Sequence, residues 1–500
     1  MVSTIRFAIP RRLLILPLLI FSTALASYPA HADPATIDWN AAAKQDIKFA
    51  ADSIRTSHAG AVSGQLNVTV PLESGVLADT VEAEKIQTQQ DYRRLMTRFI
   101  ASFGDPHTGL YLHLTTHAWT GLVIDRIAGQ YRVIWSEPDW PTPLPPKNAT
   151  VQSCDGVWIG TYLKTNVAPF VNHSTEYPTT FSELARQTMF DTGLGWTPKQ
   201  CVFTLQDHST KRFDLPLRSV PDNVSKERIK EIRQQYTAKA KPVGLYTLAN
   251  DRHWVGMPDF NGSVSAAAYE NLYKQLATLK KSGWIIFDLR GNGGGDSSWG
   301  TRALQAVYGT EYGEKLGNTA TYSKAMIVNQ ATINLFKRFA SLPEYAASKD
   351  EFDHAVQKLE AAQRAGDKMA IVEDMTPADA TTLALQASAR PHGPRIAAVI
   401  DRGCFSSCMN FLQQIESISD TVVLGEPTIG YSPYGEINEF NLPSGNGAIY
   451  IPSAVYTSLQ ATREPFMPDI AYPGNIADDD ALMKWVNGIL TSLKPGQKKP

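Results

Sequence analysis

Apolar residues recur at three- and four-residue spacing through WNAAAKQDIKFAADSIRTSH and again through EAEKIQTQQDYRRLMTRFIASF. That period predicts amphipathic helices over much of residues 33–114. The second run stops at Gly104, and Gly104, Pro106 and Gly109 mark a turn around His107. Between about 118 and 220 the period shortens. GLVIDRIAGQYRVIW and QCVFTLQDHSTKRFDLPLRSV alternate and break at turn residues, which predicts hairpins in a small β-rich module. Beyond about 240, HWVGMPDF, WIIFDLR, IAAVID and TVVLGE are short and largely apolar, as strands buried on both faces are. SSWGTRALQAVYG and SSCMNFLQQIES fall between them with helical spacing, so the order predicts an α/β domain. Residues 322–390 read as a mainly helical insertion, in which Ser348 and Glu351 form a capping box and Gly366 ends a helix.

The amino end has a different pattern. Arg6, Arg11 and Arg12 precede or open the apolar run LLILPLLIF, and small-residue sites follow at Ala24–Ala26 and Ala30–Ala32. This is the layout of a signal peptide over residues 1–32, too short in its apolar run to span a membrane comfortably. No later run is long enough to span, so the mature chain is expected to be exported, periplasmic or secreted, without a membrane span. Export permits disulfides among Cys154, Cys201, Cys404 and Cys408, and the sequence alone leaves three pairings open. No Cys/His spacing suggests a metal, and nothing calls for a cofactor. A net charge of −2, with 19% charged residues and no basic run, excludes a nucleic-acid footprint. The 500 residues are long enough for several units.

Two stretches hold candidate chemistry. GNGGGD after WIIFDLR lacks the Lys-Ser/Thr of a phosphate loop and does not fit the dinucleotide fingerprint. Its Gly-Asp-Ser triplet at Gly295–Ser297 resembles that of some esterases, but three residues match often by chance. It reads as a tight turn or as an oxyanion hole built from backbone amides. The second stretch, DRGCFSSCMNFLQQI, puts Ser406 where a strand gives way to a helix. A serine there is an ordinary N-cap, but the same place aims a hydroxyl at the positive helix end.

Four ordered motifs carry a family resemblance: Asp288–Gly295 (DLRGNGGG), Phe405–Cys408 (FSSC), Gly425–Thr428 (GEPT) and Met467–Ile470 (MPDI). Together they resemble the C-terminal processing peptidases, or tail-specific proteases, and their tricorn-core relatives, over roughly residues 90–475. The resemblance implies a crotonase-like α/β catalytic domain preceded by a PDZ-like module. It maps the nucleophile onto Ser406 and the oxyanion donors onto the amides of Ser407 and Gly294. The lysine base of many members is absent, because Gly430 is followed by Tyr431, and Met409 replaces a frequent glutamate. The tricorn-like branch uses a histidine from a turn ahead of the β-rich module, which here is His107; His113 and His117 lie nearby without the motif. That branch also uses a late carboxylate, for which Glu464 is the nearest candidate, while Asp288 reads as structural.

The expected layout is then signal peptide 1–32, helical region 33–114, PDZ-like module 115–220, α/β peptidase domain 221–490 with the helical insertion 322–390, and tail 491–500. The expected activity is that of an exported serine endopeptidase acting on protein or peptide substrates through Ser406 and His107. An inactive peptide-binding relative and an ester-cleaving acyl hydrolase are the alternatives. Cys404 is expected to pair with Cys408 across the serine turn, and Cys154 with Cys201. The sequence is silent on oligomeric state.

Overall fold

A computed structural model describes residues 37–494, apart from 67–70, 76–81, 114–117, 220–230, 232–239, 249–250, 280–282, 313–321, 343–348, 375–392, 431 and 459–464. The expected signal peptide, the tail from 495, Ser348, His117, Tyr431 and Glu464 lie outside the described residues.

The apolar runs of the second half form one six-stranded sheet. Its order is Gly244–Leu248, Arg252–Gly256, Trp284–Asp288, Arg395–Ile400, Val422–Gly425 and Ile470–Ala471, parallel except for the first strand. Both faces are covered, which is why the strands read as unbroken apolar runs. Val255, Phe287, Ile396 and Ala398 pack under helices Gly262–Leu276, Ser298–Tyr308 and Ser407–Glu416. Trp254, Ile286, Val399 and Leu424 pack under Leu482, Val486 and Leu490 of helix Asp479–Ser492. Gly300 lets helix Ser298–Tyr308 close on the helix after the serine, since a Cβ there would meet Phe411 at 2.6 Å.

A second, antiparallel sheet is built around the long strand Gly447–Ser458. Gly109–Leu112, Tyr322–Ile327 and Tyr434–Asn441 pair with it, and Met369–Asp374 pairs with Tyr322–Ile327. Helices Trp39–Ser57 and Gln89–Ala101 share their core with Ile449 and Ile451 of that strand. The second helix begins later than its apolar period suggests, because Thr88 and Asp91 form a reciprocal capping box that fixes the start at Gln89. The insertion is not simply helical. Helices Gln330–Ser341 and Lys349–Ala365 lie between the strands Tyr322–Ile327 and Met369–Asp374 and bury Phe336, Phe339 and Phe352 together.

The β-rich module is an antiparallel sheet of Leu122–Ile127, Gln130–Ser136, Thr150–Cys154, Gln200–Thr204 and Thr210–Asp214, with helix Pro178–Thr188 packed on it. Cys154 and Cys201 face each other across neighbouring strands at disulfide distance, with Cα atoms 4.1 Å apart.

Candidate active site

The serine turn begins where strand Arg395–Ile400 ends. Asp401 Oδ1 accepts from the amides of Gly403 (3.0 Å) and Gly291 (2.8 Å), which joins this turn to the glycine loop. The Phe405 amide donates to the Asn292 carbonyl (3.0 Å). Gly294 adopts φ +98°, and a Cβ on it would meet the Phe405 carbonyl at 2.8 Å and Ser406 Cβ and Ser407 N at 2.9 Å. Only glycine fits there. Asp288 is structural. It accepts from Arg290 (2.8 and 2.7 Å) and Trp254 Nε1 (3.0 Å) beneath the loop.

The two serines differ sharply. Ser407 is 2% exposed and its hydroxyl donates to the Gly295 carbonyl at 2.6 Å. Ser406 is partly exposed and occupies the N-cap position of helix Ser407–Glu416, yet its side chain makes no capping bond. Its backbone sits at φ +57°, ψ −123°, a region a serine enters at a cost of about 1–3 kcal/mol. The ordinary capping role is therefore absent, and the hydroxyl is presented from a strained strand-to-helix turn. Cys404 and Cys408 lie at disulfide distance on either side, with Cα atoms 5.5 Å apart.

His107 is brought to this turn from the far end of the chain. Its ring lies 5.1 Å from the Phe405 ring, centroid to centroid. The residue is 7% exposed, and neither ring nitrogen makes a hydrogen bond of good geometry, although the Tyr434 backbone lies close enough to favour the charged ring. Burial pushes its pKa below the ordinary histidine value, against the opposing charges of Asp105 and Glu436. The imidazole is thus neutral at pH 7 and able to accept a proton. His113 instead stands edge-on to Tyr111, ring centroids 5.3 Å apart.

Sequence reasoning missed three neighbours of this turn. Asp105, buried, accepts from His58 Nε2 (3.1 Å), Ser432 Oγ (2.6 Å), Thr108 Oγ1 (2.7 Å) and the His107 amide (3.2 Å). Asp105 lies between Gly104 and Pro106 in the same turn as His107, but His58 and Ser432 had no motif to mark them. A buried pair, Lys324 Nζ to Glu436 Oε1 at 2.6 Å, also lay outside any motif. The amide of Gly294 donates to Asn292 Oδ1 (2.9 Å), so a substrate oxygen would share or displace that bond. Among the described residues no cluster of His, Cys, Asp or Glu could hold a metal ion, and no helix is long and apolar enough to cross a membrane.

The family model described as peptidase family S41 matches residues 254–471. The fold is similar to mature CPAF, with a TM-score of 0.63 at 12% identity over 90% of this chain and 97% of that one. CPAF complexed with lactacystin gives a TM-score of 0.62 at 11% identity over 91% and 99%. The photosystem II D1 C-terminal processing protease matches more loosely, with a TM-score of 0.38 at 13% identity over 91% and 98%. No curated protein matches the chain.

Proposed function

Through residues 254–471 the chain belongs to peptidase family S41 and is a serine-type peptidase, and from that premise we propose an exported endopeptidase with a Ser406–His107 mechanism. One observation carries the assignment: Ser406 stands in a strained, non-capping conformation on a turn that packs against the neutral, unpartnered ring of His107. Two cysteine pairs at disulfide distance favour an oxidising compartment, in keeping with a periplasmic or secreted protein.

In this reading Ser406 Oγ attacks the peptide carbonyl while His107 takes its proton and returns it to the leaving amine. The oxyanion forms at the start of helix Ser407–Glu416, where the helix dipole and the Ser407 amide favour negative charge. The Gly294 amide is the second donor once it turns from Asn292 Oδ1. Water then hydrolyses the acyl-enzyme by the same proton route in reverse. Glu464 remains the candidate third residue, and the β-rich sheet the candidate PDZ-like module on a crotonase-like catalytic domain.

The test uses unfolded casein and a simple aryl ester as probes. The wild type should cleave casein, and both Ser406→Ala and His107→Ala should lose several orders of magnitude in rate. Near-wild-type cleavage by His107→Ala would refute the base assignment. Ester turnover without casein cleavage would favour an acyl hydrolase, and no turnover of either a binding protein.

A further inference from the structure

The turn that carries His107 is held by residues from three distant parts of the chain, and the hydrogen bonds fix the state of each. The Gly60 amide donates to His58 Nδ1 at 3.0 Å, so that nitrogen carries no proton. The proton is on Nε2, which donates to Asp105 Oδ2 at 3.1 Å. Asp105 then receives four donors, from His58, Thr108, Ser432 and the His107 amide, and faces no acceptor among them. A carboxylate has about four acceptor sites, so the ionised form alone satisfies this set. Burial would raise the Asp105 pKa, but His58, His107 and Ser432 together hold it well below the usual carboxylate range.

The backbone of the same turn is pinned from the other side. Asn172 Nδ2 donates to the carbonyls of Asp105 and Thr108, each at 2.9 Å. Ser432 Oγ also accepts from the Tyr434 amide at 3.2 Å, and the Tyr434 ring stands edge-on to His58 at 5.0 Å. The backbone of the turn is thus held from several sides, while neither ring nitrogen of His107 makes a hydrogen bond of good geometry.

Resting on the Ser406–His107 reading, we infer that His58, Asp105 and Ser432 are positioning residues that hold the His107 turn in register with the Ser406 turn and keep a fixed anion beside the imidazole. His58 acts through Asp105, and Asp105 through the His107 amide and its own charge. Other groups that face this pocket are Glu436, which is paired with Lys324, and His173 near Asp105. None of them is altered in the test.

The test follows the rate of covalent labelling by a fluorophosphonate against pH. Asp105→Asn removes the anion and presents an amide N–H₂ to donors. It should cut the maximal labelling rate about 10- to 100-fold, the range for losing a charge-assisted hydrogen bond. It should also move the acid limb to lower pH, because the Asp105 charge raises the His107 pKa. His58→Asn keeps a cap for the Gly60 amide but loses the donor to Asp105, while His58→Gln keeps that donor. His58→Asn should therefore slow labelling at unchanged probe affinity, and His58→Gln should restore most of the rate. A purely structural role would lower the fraction of labelled protein and leave the limb in place. An unmoved limb in Asp105→Asn, or equal rates in the two His58 variants, overturns the inference. If Asp105→Asn does not fold, the His58 pair decides alone. Labelling that survives His107→Ala with its acid limb intact would instead overturn the Ser–His reading itself.

Discussion

Replacing Ser406 by glycine should stabilise the protein while destroying its reactivity. Serine at φ +57°, ψ −123° stores about 1–3 kcal/mol that glycine does not pay. Glycine also frees the unfolded chain, which offsets roughly 0.5–1 kcal/mol of that relief. Alanine keeps the strain and loses the hydroxyl, which makes it the proper reference. Ser406→Gly should thus exceed Ser406→Ala by up to about 2.5 kcal/mol. Ser407→Ala should move the other way. It removes a buried 2.6 Å bond to the Gly295 carbonyl and should cost about 1–2 kcal/mol, with labelling retained. Urea denaturation followed by tryptophan fluorescence reads these differences as midpoint shifts at constant slope, and Trp254, Trp284 and Trp299 report from the peptidase sheet and its cover. A Ser406→Gly variant less stable than Ser406→Ala would refute the claim that this turn is strained.

Gly294→Ala would press a methyl group to within 2.8–2.9 Å of Phe405, Ser406 and Ser407, and should slow fluorophosphonate labelling on the order of 10²-fold. An unchanged rate would contradict the packing of the two loops. Removing the cysteine pairs should separate stability from activity. The Cys154–Cys201 link closes a separation of 47 residues, so its loss should cost about 4 kcal/mol in an unfolding titration. The Cys404–Cys408 link closes only 4 and constrains the unfolded chain little, so its loss should show mainly as slower labelling. Glu351 has its pKa pushed up to about 7 by burial and by the nearby charges of Glu373 and Asp296. Its contribution is present below pH ~4.3 and lost as pH rises through about 7, so Glu351→Gln should stabilise at pH 8 and not at pH 4.

The peptidase sheet was legible because its strands are buried on both faces. WIIFD and the strand Arg395–Ile400 have no polar face to confuse the period. The insertion strands were not legible for a matching reason. Tyr322–Ile327 carries the buried Lys324, whose partner Glu436 is 112 residues away, and a periodicity argument counts that lysine as solvent-facing. Glu436 interrupts the pairing of its strand at φ +53° without shifting the register. His58 was invisible for the same reason, since what ties it to the site is a contact with Asp105, 47 residues on. Ser406 and Ser407 were told apart only through the family resemblance; the structure adds the backbone angle and the hydrogen bond that give each a different task.

The central claim is best tested by mapping the fluorophosphonate adduct on the wild-type protein by peptide mass spectrometry, across a pH series. The account predicts one adduct, on Ser406, formed at a rate that rises through a pKa below the ordinary histidine value of ~6.5 and then levels. An adduct on Ser407, or no adduct at any pH, would contradict it.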